Sequence, residues 1–218
     1  MTEQEAEVLR TLAAWHEAGH VVAALICHIP FERASIISSE ELIQEEGAGV
    51  PLEHELGHVK LVADPLTSNG IVVSEARPLS KMEVGLVRRV MVQAVAGYHA
   101  VRLRFDEPDA ERYGASHDYS LAYRLARVLA DQGSKKEPSH YVMKAELSAD
   151  ELMADTEALV RTVANALLKE GTLTQAEVLT VLPGPALLKA GERFLKKQPR
   201  ASLSAEEAAF LDMWATAK

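Results

Sequence analysis

Residues 12–27, LAAWHEAGHVVAALIC, place a histidine motif inside a strongly apolar segment of the chain. Between residues 5 and 27, apolar side chains recur three or four positions apart, which is the spacing of one face of a helix. The second half of this segment is apolar enough to be buried. The sequence therefore predicts a rigid, largely buried helix with His16, Glu17 and His20 near its middle.

The motif HEAGH fits the pattern H-E-x-x-H, in which two histidines bind a zinc ion while the glutamate acts on a bound water. The pattern works only on a helix, because residues i and i+4 lie on the same helix face. His16 and His20 would then offer nitrogen atoms to one metal ion, with Glu17 close to the open coordination position. Gly19 lowers helix stability by about 1 kcal/mol relative to alanine, and we expect it to let another backbone approach closely.

A second match to the pattern, HELGH at residues 54–58, lies in a different context. The sequence GHVKLVA favours a strand, and in a strand His54 and His58 would stand about 13 Å apart. That separation is too large for one small metal ion. Gly57 is expected at the start of a strand or at a bulge. We therefore predict that HEAGH is the metal site and interpret HELGH as an exposed loop-to-strand segment that matches by coincidence.

The remaining pattern predicts an α+β fold that is mostly α-helical, with a small β-sheet. Short β-branched runs and a Ser-Asn-Gly turn signal predict this sheet within residues 29–76, including a hairpin across 57–75. Ser80 and Glu83 predict a capping box at the start of a helix over residues 80–103. The further predicted helices cover residues 117–131, 148–170 with Ser148 as N-cap and Gly171 as stop, 172–182, 184–197 and 204–217.

The composition is that of an ordinary globular protein, with 48% hydrophobic and 25% charged residues. A formal net charge of −9 argues against nucleic acid as a partner. The single cysteine, Cys27, excludes an intrachain disulfide and a cysteine-rich zinc site. The acidic, polar start is unlike a signal peptide, and no nearby apolar run reaches the roughly 20 residues of a membrane span. We therefore expect a cytoplasmic protein without a membrane partner.

Over roughly residues 5–183 the sequence resembles the protease domain of the FtsH-type ATP-dependent zinc metalloproteases. That family carries His-Glu-Ala-Gly-His on a helix, usually after an aromatic residue, and Trp15 fills that place here. The stretch YGASHDYSLAYRLAR (113–127) resembles the family's Gly-Ala-Ser-Asn-Asp-Leu segment. The resemblance implies a peptidase-like helical domain with a sheet insertion. This domain is expected over residues 1–183, with a HEAGH helix (1–28), a small sheet (29–78) and a helical part (79–183). Residues 184–218 lie outside the resemblance and are predicted to form a C-terminal helical extension.

In the FtsH-type family the aspartate after Gly-Ala-Ser-x is the third zinc ligand, and it corresponds to Asp118 here. The resemblance therefore implies Zn²⁺ held by His16, His20 and Asp118, with Glu17 as the catalytic residue. From the residues alone, Asp118 is also interpreted as an ordinary acid at a helix start, where the helix dipole favours it. The competing acids lie in the charged segment just before it: Asp106, Glu107, Asp109 and Glu111.

The resemblance implies a zinc metalloendopeptidase, which hydrolyses peptide bonds with a metal-activated water. No G-x-x-x-x-G-K-[ST] motif occurs in the sequence, so we expect no ATPase module and no unfoldase activity of its own. The expected substrate is an unfolded or flexible polypeptide, and the candidate partners are a separate ATPase or a second copy of the chain. The family's Gly-Gly-Arg-Ala-Ala-Glu signature is reduced here to AGYHAVRL (96–103). The resemblance therefore does not predict which contacts this segment makes around the site.

Two other functions stay open at this point. One is a non-catalytic interaction module in which zinc only holds the helices together, although such a site has no need of Glu17. The other is a metal phosphohydrolase that uses the pair His117-Asp118, which would leave HEAGH without a role. The remaining histidines are interpreted as packing or surface residues: His28, His99 and His140.

Overall fold

The structure, a computed structural model, describes residues 2–38, 40–41, 56–67, 71, 78–105, 115–132 and 136–197. Long helices dominate this part of the chain, and the short strands form one small antiparallel sheet. The predicted α+β class, mostly helical with a small sheet, is confirmed. The elements are α1 (Glu3–Ile26), β1 (Phe31–Ile36), β2 (Gly57–Leu61), α2 (Lys81–Phe105), α3 (Ala115–Ala130), α4 (Pro138–Glu170), β3 (Thr172–Thr174), α5 (Gln175–Val181) and α6 (Gly184–Lys197).

Helix α1 is the buried helix that the apolar pattern predicts. Thr2 caps its start and forms a capping box with Glu5. Every side chain from Leu12 to Ile26 is buried, including those of the histidine motif. Helices α2 and α4 pack against α1 and against each other, and together these three form the core. Because polar side chains inside such a core need partners, the motif residues must be paired or hold a ligand.

The glycine inside the motif determines how closely α1 and α2 approach. A Cβ atom at Gly19 would lie 2.7 Å from the Cβ of Ala100 and 2.7 Å from the carbonyl oxygen of Ala96. Real Cβ atoms do not tolerate such distances, so only glycine permits this packing. The close approach expected at Gly19 is confirmed.

The sheet has the order β2-β1-β3, with both outer strands antiparallel to β1. Strand β2 pairs Gly57 with Ile36 and His58 with Ser35, so the strand predicted from GHVKL is confirmed. Its partner in the described residues is β1. The second arm of the predicted hairpin (57–75) lies largely outside the described residues.

Strand β3 was not predicted. The sequence favoured a helix over residues 172–182, but Thr172–Thr174 pair with β1 and the helix begins at Gln175. Thr174 is the N-cap of α5 and forms a capping box with Glu177. A three-residue strand carries too little periodicity to be distinguished from the first turn of a helix.

Helix α4 begins ten residues earlier than predicted. Pro138 occupies its first turn, where a missing N–H costs nothing, and Ser148 lies inside the helix rather than at its N-cap. The helix continues through Ser148 because its buried stripe is unbroken from Val142 through Ala145, Ala149 and Leu152. The predicted stop is confirmed: Gly171 has φ of 72° and its N–H donates to the carbonyl of Leu167.

The other helices complete the frame around the core. The predicted capping box of α2 is confirmed, since the Glu83 N–H donates to Ser80 Oγ and the Ser80 N–H donates to Glu83. Helix α6 packs on α4 and α1, and the predicted helix over 204–217 lies outside the described residues. The division of the chain at residue 183 stays a prediction. Within the described residues, no helix has both the length and the hydropathy that a membrane crossing requires.

Candidate metal centre

The two histidines of HEAGH lie one turn apart on α1 and point at the same place. Their Nε2 atoms are 2.9 Å apart, and both residues are only 6% exposed. His20 Nδ1 lies 2.8 Å from the main-chain carbonyl oxygen of Gln93 on α2. That oxygen can only accept, so Nδ1 carries the hydrogen and the Nε2 of a neutral His20 is left as a ligand atom. A second ring hydrogen bond of this kind is common at metal-binding histidines.

Asp118, in the first turn of α3, brings a carboxylate to the histidine pair. Its Oδ2 lies 3.1 Å from His16 Nε2 and 3.2 Å from His20 Nε2, although 102 and 98 residues separate it from them in sequence. The ligand atoms of these three residues all lie within 4.8 Å of one another. The structure therefore brings together the three residues that the resemblance implied.

The spacing of these three atoms suits a zinc ion. Ligand atoms about 2.0–2.1 Å from a tetrahedral zinc ion lie about 3.3 Å from one another, close to the observed separations. Space is also left on the side of α2. A Cβ atom at Gly97 would lie 2.6 Å from His20 Nε2 and 2.7 Å from His16 Nε2, so only glycine leaves both nitrogens accessible. The residues present thus fit a small divalent cation.

Without a metal ion the cluster holds a proton and a negative charge. Burial alone would lower the pKa of His20, but the charge and hydrogen bond of Asp118, the charge of Glu17 and the Gln93 carbonyl raise it to about 9. Burial alone would raise the pKa of Asp118, but the two histidines hold it well below its usual range. A divalent cation would replace the proton as the positive charge of the cluster.

Glu17 lies beside the cluster under the first residue of β2. It is 5% exposed, and its negative charge is one of the causes that raise the pKa of His20. A Cβ atom at Gly57 would lie 2.7 Å from Glu17 Cγ and 2.9 Å from Glu17 Oε1. Strand β2 can therefore cross directly over the Glu17 carboxylate only because residue 57 is glycine.

A cleft of about 270 Å³ gives access to these groups between α1, α2, α3 and β2. His16, Glu17, His20 and Asp118 line it together with the side chains of His58 and His117. Gly57 and Gln93 also line it, and the rest of its wall is apolar: Ala13, Leu56, Val59, Leu61, Ala94 and Leu121. The cleft thus combines one polar centre with apolar surfaces that can accept uncharged side chains.

The described part of the second histidine motif, residues 56–58, lines the cleft of the first motif. Gly57 starts β2 as predicted, and His58 is exposed on the rim of the cleft. His54 lies outside the described residues. Sequence patterns do not predict that the glycine of HELGH makes room for the glutamate of HEAGH, because the two meet only after β2 pairs with β1.

The other candidate residues lie apart from the cluster or outside the described residues. The acids of residues 106–111 lie outside the described residues. His117 is exposed on the rim of the cleft, and its ring is not one of the three ligand groups that converge. Cys27 is buried, and burial raises the pKa of its thiol to about 12, which keeps it protonated.

Of the remaining histidines, His99 is buried, with its Nδ1 2.5 Å from a carboxylate oxygen of Asp150. His140 is partly exposed, with its Nε2 3.0 Å from Lys136 Nζ. His28 is partly exposed at the end of α1, with a positive φ of 57°. None of the three joins the metal-binding group found in the described residues.

Two imidazoles and a carboxylate beside a buried glutamate form a ligand set that suits a divalent cation able to activate water. No family model matches the chain. No curated protein matches it either. The chemistry of the site is therefore argued from its own residues.

Proposed function

We propose that the protein is a zinc-dependent metallopeptidase that hydrolyses peptide bonds in unfolded or flexible polypeptides. The convergence of His16, His20 and Asp118 with Glu17 in one cleft carries this proposal. Catalytic zinc sites use three protein ligands and keep one position for water, whereas structural sites use four. Among the described residues, three ligand groups converge with a further acid, Glu17, beside them, which fits the catalytic type.

Glu17 supplies the general acid–base chemistry. Zn²⁺ bound by the three ligands would lower the pKa of a coordinated water toward about 7 and polarise the scissile carbonyl. The Glu17 carboxylate accepts the proton of the attacking water and delivers it to the leaving amine. Its fixed position below Gly57 keeps it beside the cluster, and the Gln93 carbonyl keeps the His20 ring turned toward the ligand position.

The buried position of these groups limits the substrate. Glu17 and both histidines are at most 6% exposed, so a folded surface does not reach them, whereas an extended chain enters the cleft. Strand β2 is at one end of the sheet order and pairs with β1, with no second partner among the described strands. An extended peptide added along β2 would satisfy its own backbone groups and pass over Glu17.

The resemblance to the protease domain of the FtsH-type family supports the same reaction, because it implies the same three ligands and the same acid. A peptidase of this kind needs unfolded substrates. A separate ATPase that unfolds them, or a ring of copies of the chain that encloses the cleft, is the partner that the proposal requires for folded targets.

The test is the variant Glu17→Gln, measured for zinc content and for cleavage of fluorescently labelled, unfolded casein. We expect one zinc ion per chain and a loss of cleavage of about 10²–10⁴-fold, since the amide binds no proton. The matched control is Glu7→Gln, which changes an acid on the more exposed first half of the same helix.

Cleavage by Glu17→Gln at the rate of the unchanged protein would refute the role of Glu17. Zinc binding by the unchanged protein without cleavage of any polypeptide would favour the non-catalytic zinc module instead. Hydrolysis of a phosphate ester, and not of casein, would favour the metal phosphohydrolase.

A further inference from the structure

Helix α3 carries the carboxylate of the metal centre, and Asp118 contacts His16 and His20 of α1. The rest of α3 is supported mainly by other helices. It packs against α2 and α4, and its contacts with α1 are sparse. The distances of 3.1 and 3.2 Å from Asp118 to the two histidines therefore depend on how α3 docks on α2 and α4. Contacts near the start of α3 should matter most, because Asp118 lies in its first turn.

Tyr119, the residue after Asp118, contacts both of these helices. Its ring packs edge-to-face against the ring of Tyr98 on α2, with centroids 5.7 Å apart. Its hydroxyl donates a 2.9 Å hydrogen bond to Glu146 Oε1 on α4. One side chain thus links the ligand-bearing turn to two separate helices.

The partners of Tyr119 are themselves fixed in place. The guanidinium of Arg102 lies 5.9 Å from the centre of the Tyr98 ring and donates to both carboxylate oxygens of Asp150 on α4. His99, next to Tyr98, is bonded to the same carboxylate. Asp150 lies one turn after Glu146 on α4. The link through Tyr119 therefore ends on a cross-connected surface of α2 and α4 and not on free side chains.

We propose that Tyr119 is a positioning residue for Asp118. The hydrogen bond from the Tyr119 hydroxyl to Glu146 sets the distance between the first turn of α3 and the histidines of α1. This inference rests on the proposed metal centre. Tyr119 would contact neither the ion nor the substrate, and it acts only through the carboxylate beside it. Groups that hydrogen-bond a metal ligand typically change metal affinity by 10–100-fold when they are altered, and we expect an effect of that order at Tyr119.

The test compares Tyr119→Phe with Tyr123→Phe. Both changes remove one hydroxyl from α3, and Tyr123 is 47% exposed one turn further along. The probe is Co²⁺, whose visible absorption reports the number and geometry of its ligands, and the thermal unfolding of the metal-free protein is measured alongside. We expect Tyr119→Phe to bind Co²⁺ about 10–100-fold more weakly, with an altered spectrum, and Tyr123→Phe to match the unchanged protein.

A second pair of variants tests the acceptor. Glu146→Gln keeps an oxygen that can accept the Tyr119 hydroxyl, so we expect its Co²⁺ affinity to stay within a few-fold of normal. Glu146→Ala removes the acceptor and should weaken binding as much as Tyr119→Phe does. This pair decides the matter if Tyr119→Phe does not fold.

The outcomes separate this inference from the proposal it rests on. Absence of Co²⁺ binding by the unchanged protein would overturn the metal centre and the positioning role with it. Normal binding by the unchanged protein, together with equal affinity and an equal spectrum for Tyr119→Phe, would overturn the positioning role alone. The same holds if Tyr123→Phe weakens binding as much, or if Glu146→Ala binds as tightly as Glu146→Gln.

Discussion

Gly97 on α2 faces His20 on α1 so closely that a Cβ atom at position 97 would lie 2.6 Å from His20 Nε2. The Nε2 of His16 would be 2.7 Å from the same atom. A metal ion shared by these nitrogens needs the space in front of them, so a methyl group there competes with the ion. The missing side chain at position 97 is therefore as much a part of the centre as the ligands are.

The first prediction concerns Gly97→Ala, which should weaken zinc binding by about 100-fold. Changes next to a metal ligand typically lower metal affinity by 10–100-fold, and a methyl group in front of both nitrogens should be at the upper end of that range. Alanine favours a helix over glycine by about 1 kcal/mol, so a weaker helix would not explain the loss. Isothermal titration with Zn²⁺ measures the effect. Gly191→Ala, in α6 with no atom within 4 Å of the added Cβ, is the control and should bind normally. Normal binding by Gly97→Ala would contradict the geometry.

The second prediction concerns Gly57→Ala. The added Cβ would lie 2.7 Å from Glu17 Cγ and 2.8 Å from the carbonyl oxygen of Ser35, so either Glu17 or β2 must move. We expect zinc binding to persist, because no ligand is touched, while cleavage of unfolded casein falls at least tenfold. The measurement is the kcat of the zinc-loaded variant. An unchanged kcat would mean that β2 does not constrain the glutamate.

The third prediction separates the two histidine motifs. His20→Ala removes a ligand and should reduce bound zinc to a small fraction of one ion per chain. His58→Ala changes an exposed residue on the rim of the cleft and should leave one ion bound. Metal analysis after dialysis measures both. Loss of zinc from His58→Ala would show that the second motif holds the metal after all.

The fourth prediction is a pH dependence of the metal-free protein. The folded-state pKa of His20, about 9, lies above the ordinary histidine value of about 6.5. Its contribution to stability is therefore complete below about pH 6.5 and is lost as the pH rises through about 9. Asp118 has a lowered pKa, so its contribution is present above about pH 3.9 and is lost as the pH falls further.

The melting temperature in the presence of a chelator should accordingly fall by several degrees between about pH 6.5 and 9. Scanning calorimetry measures it. In Asp118→Asn the neutral amide cannot hold the proton on His20, so the fall should shrink strongly. A fall of equal size in that variant would assign the pH dependence to other groups.

The central part of the fold and site could be predicted because its signals are local. The apolar spacing around HEAGH extends over more than four turns, and the i,i+4 histidines need only a helix to face one another. The capping box is similarly local, because Ser80 and Glu83 are only three positions apart. Such features depend on neighbouring residues and not on the rest of the chain, so they can be predicted before the fold is known.

Features that depend on distant contacts could not be predicted from spacing. Asp118 was favoured over other acids by resemblance, since 98 residues separate it from His20 and no periodicity spans such a distance. The Gln93 carbonyl that orients His20 is a backbone group, which every residue type carries. Strand β3 owes its existence to pairing with β1, and α4 continues through Ser148 because its buried stripe outweighs a favourable N-cap.

The assembly of the centre from α1 and α3 has a consequence for how the protein is made. The histidine pair leaves the ribosome about 100 residues before Asp118, and α3 finds one of its supports only when α4 has followed. A growing chain therefore carries two of the three ligand groups while the third is still out of reach. Until α3 and α4 have emerged, the nascent chain cannot assemble the three-residue group.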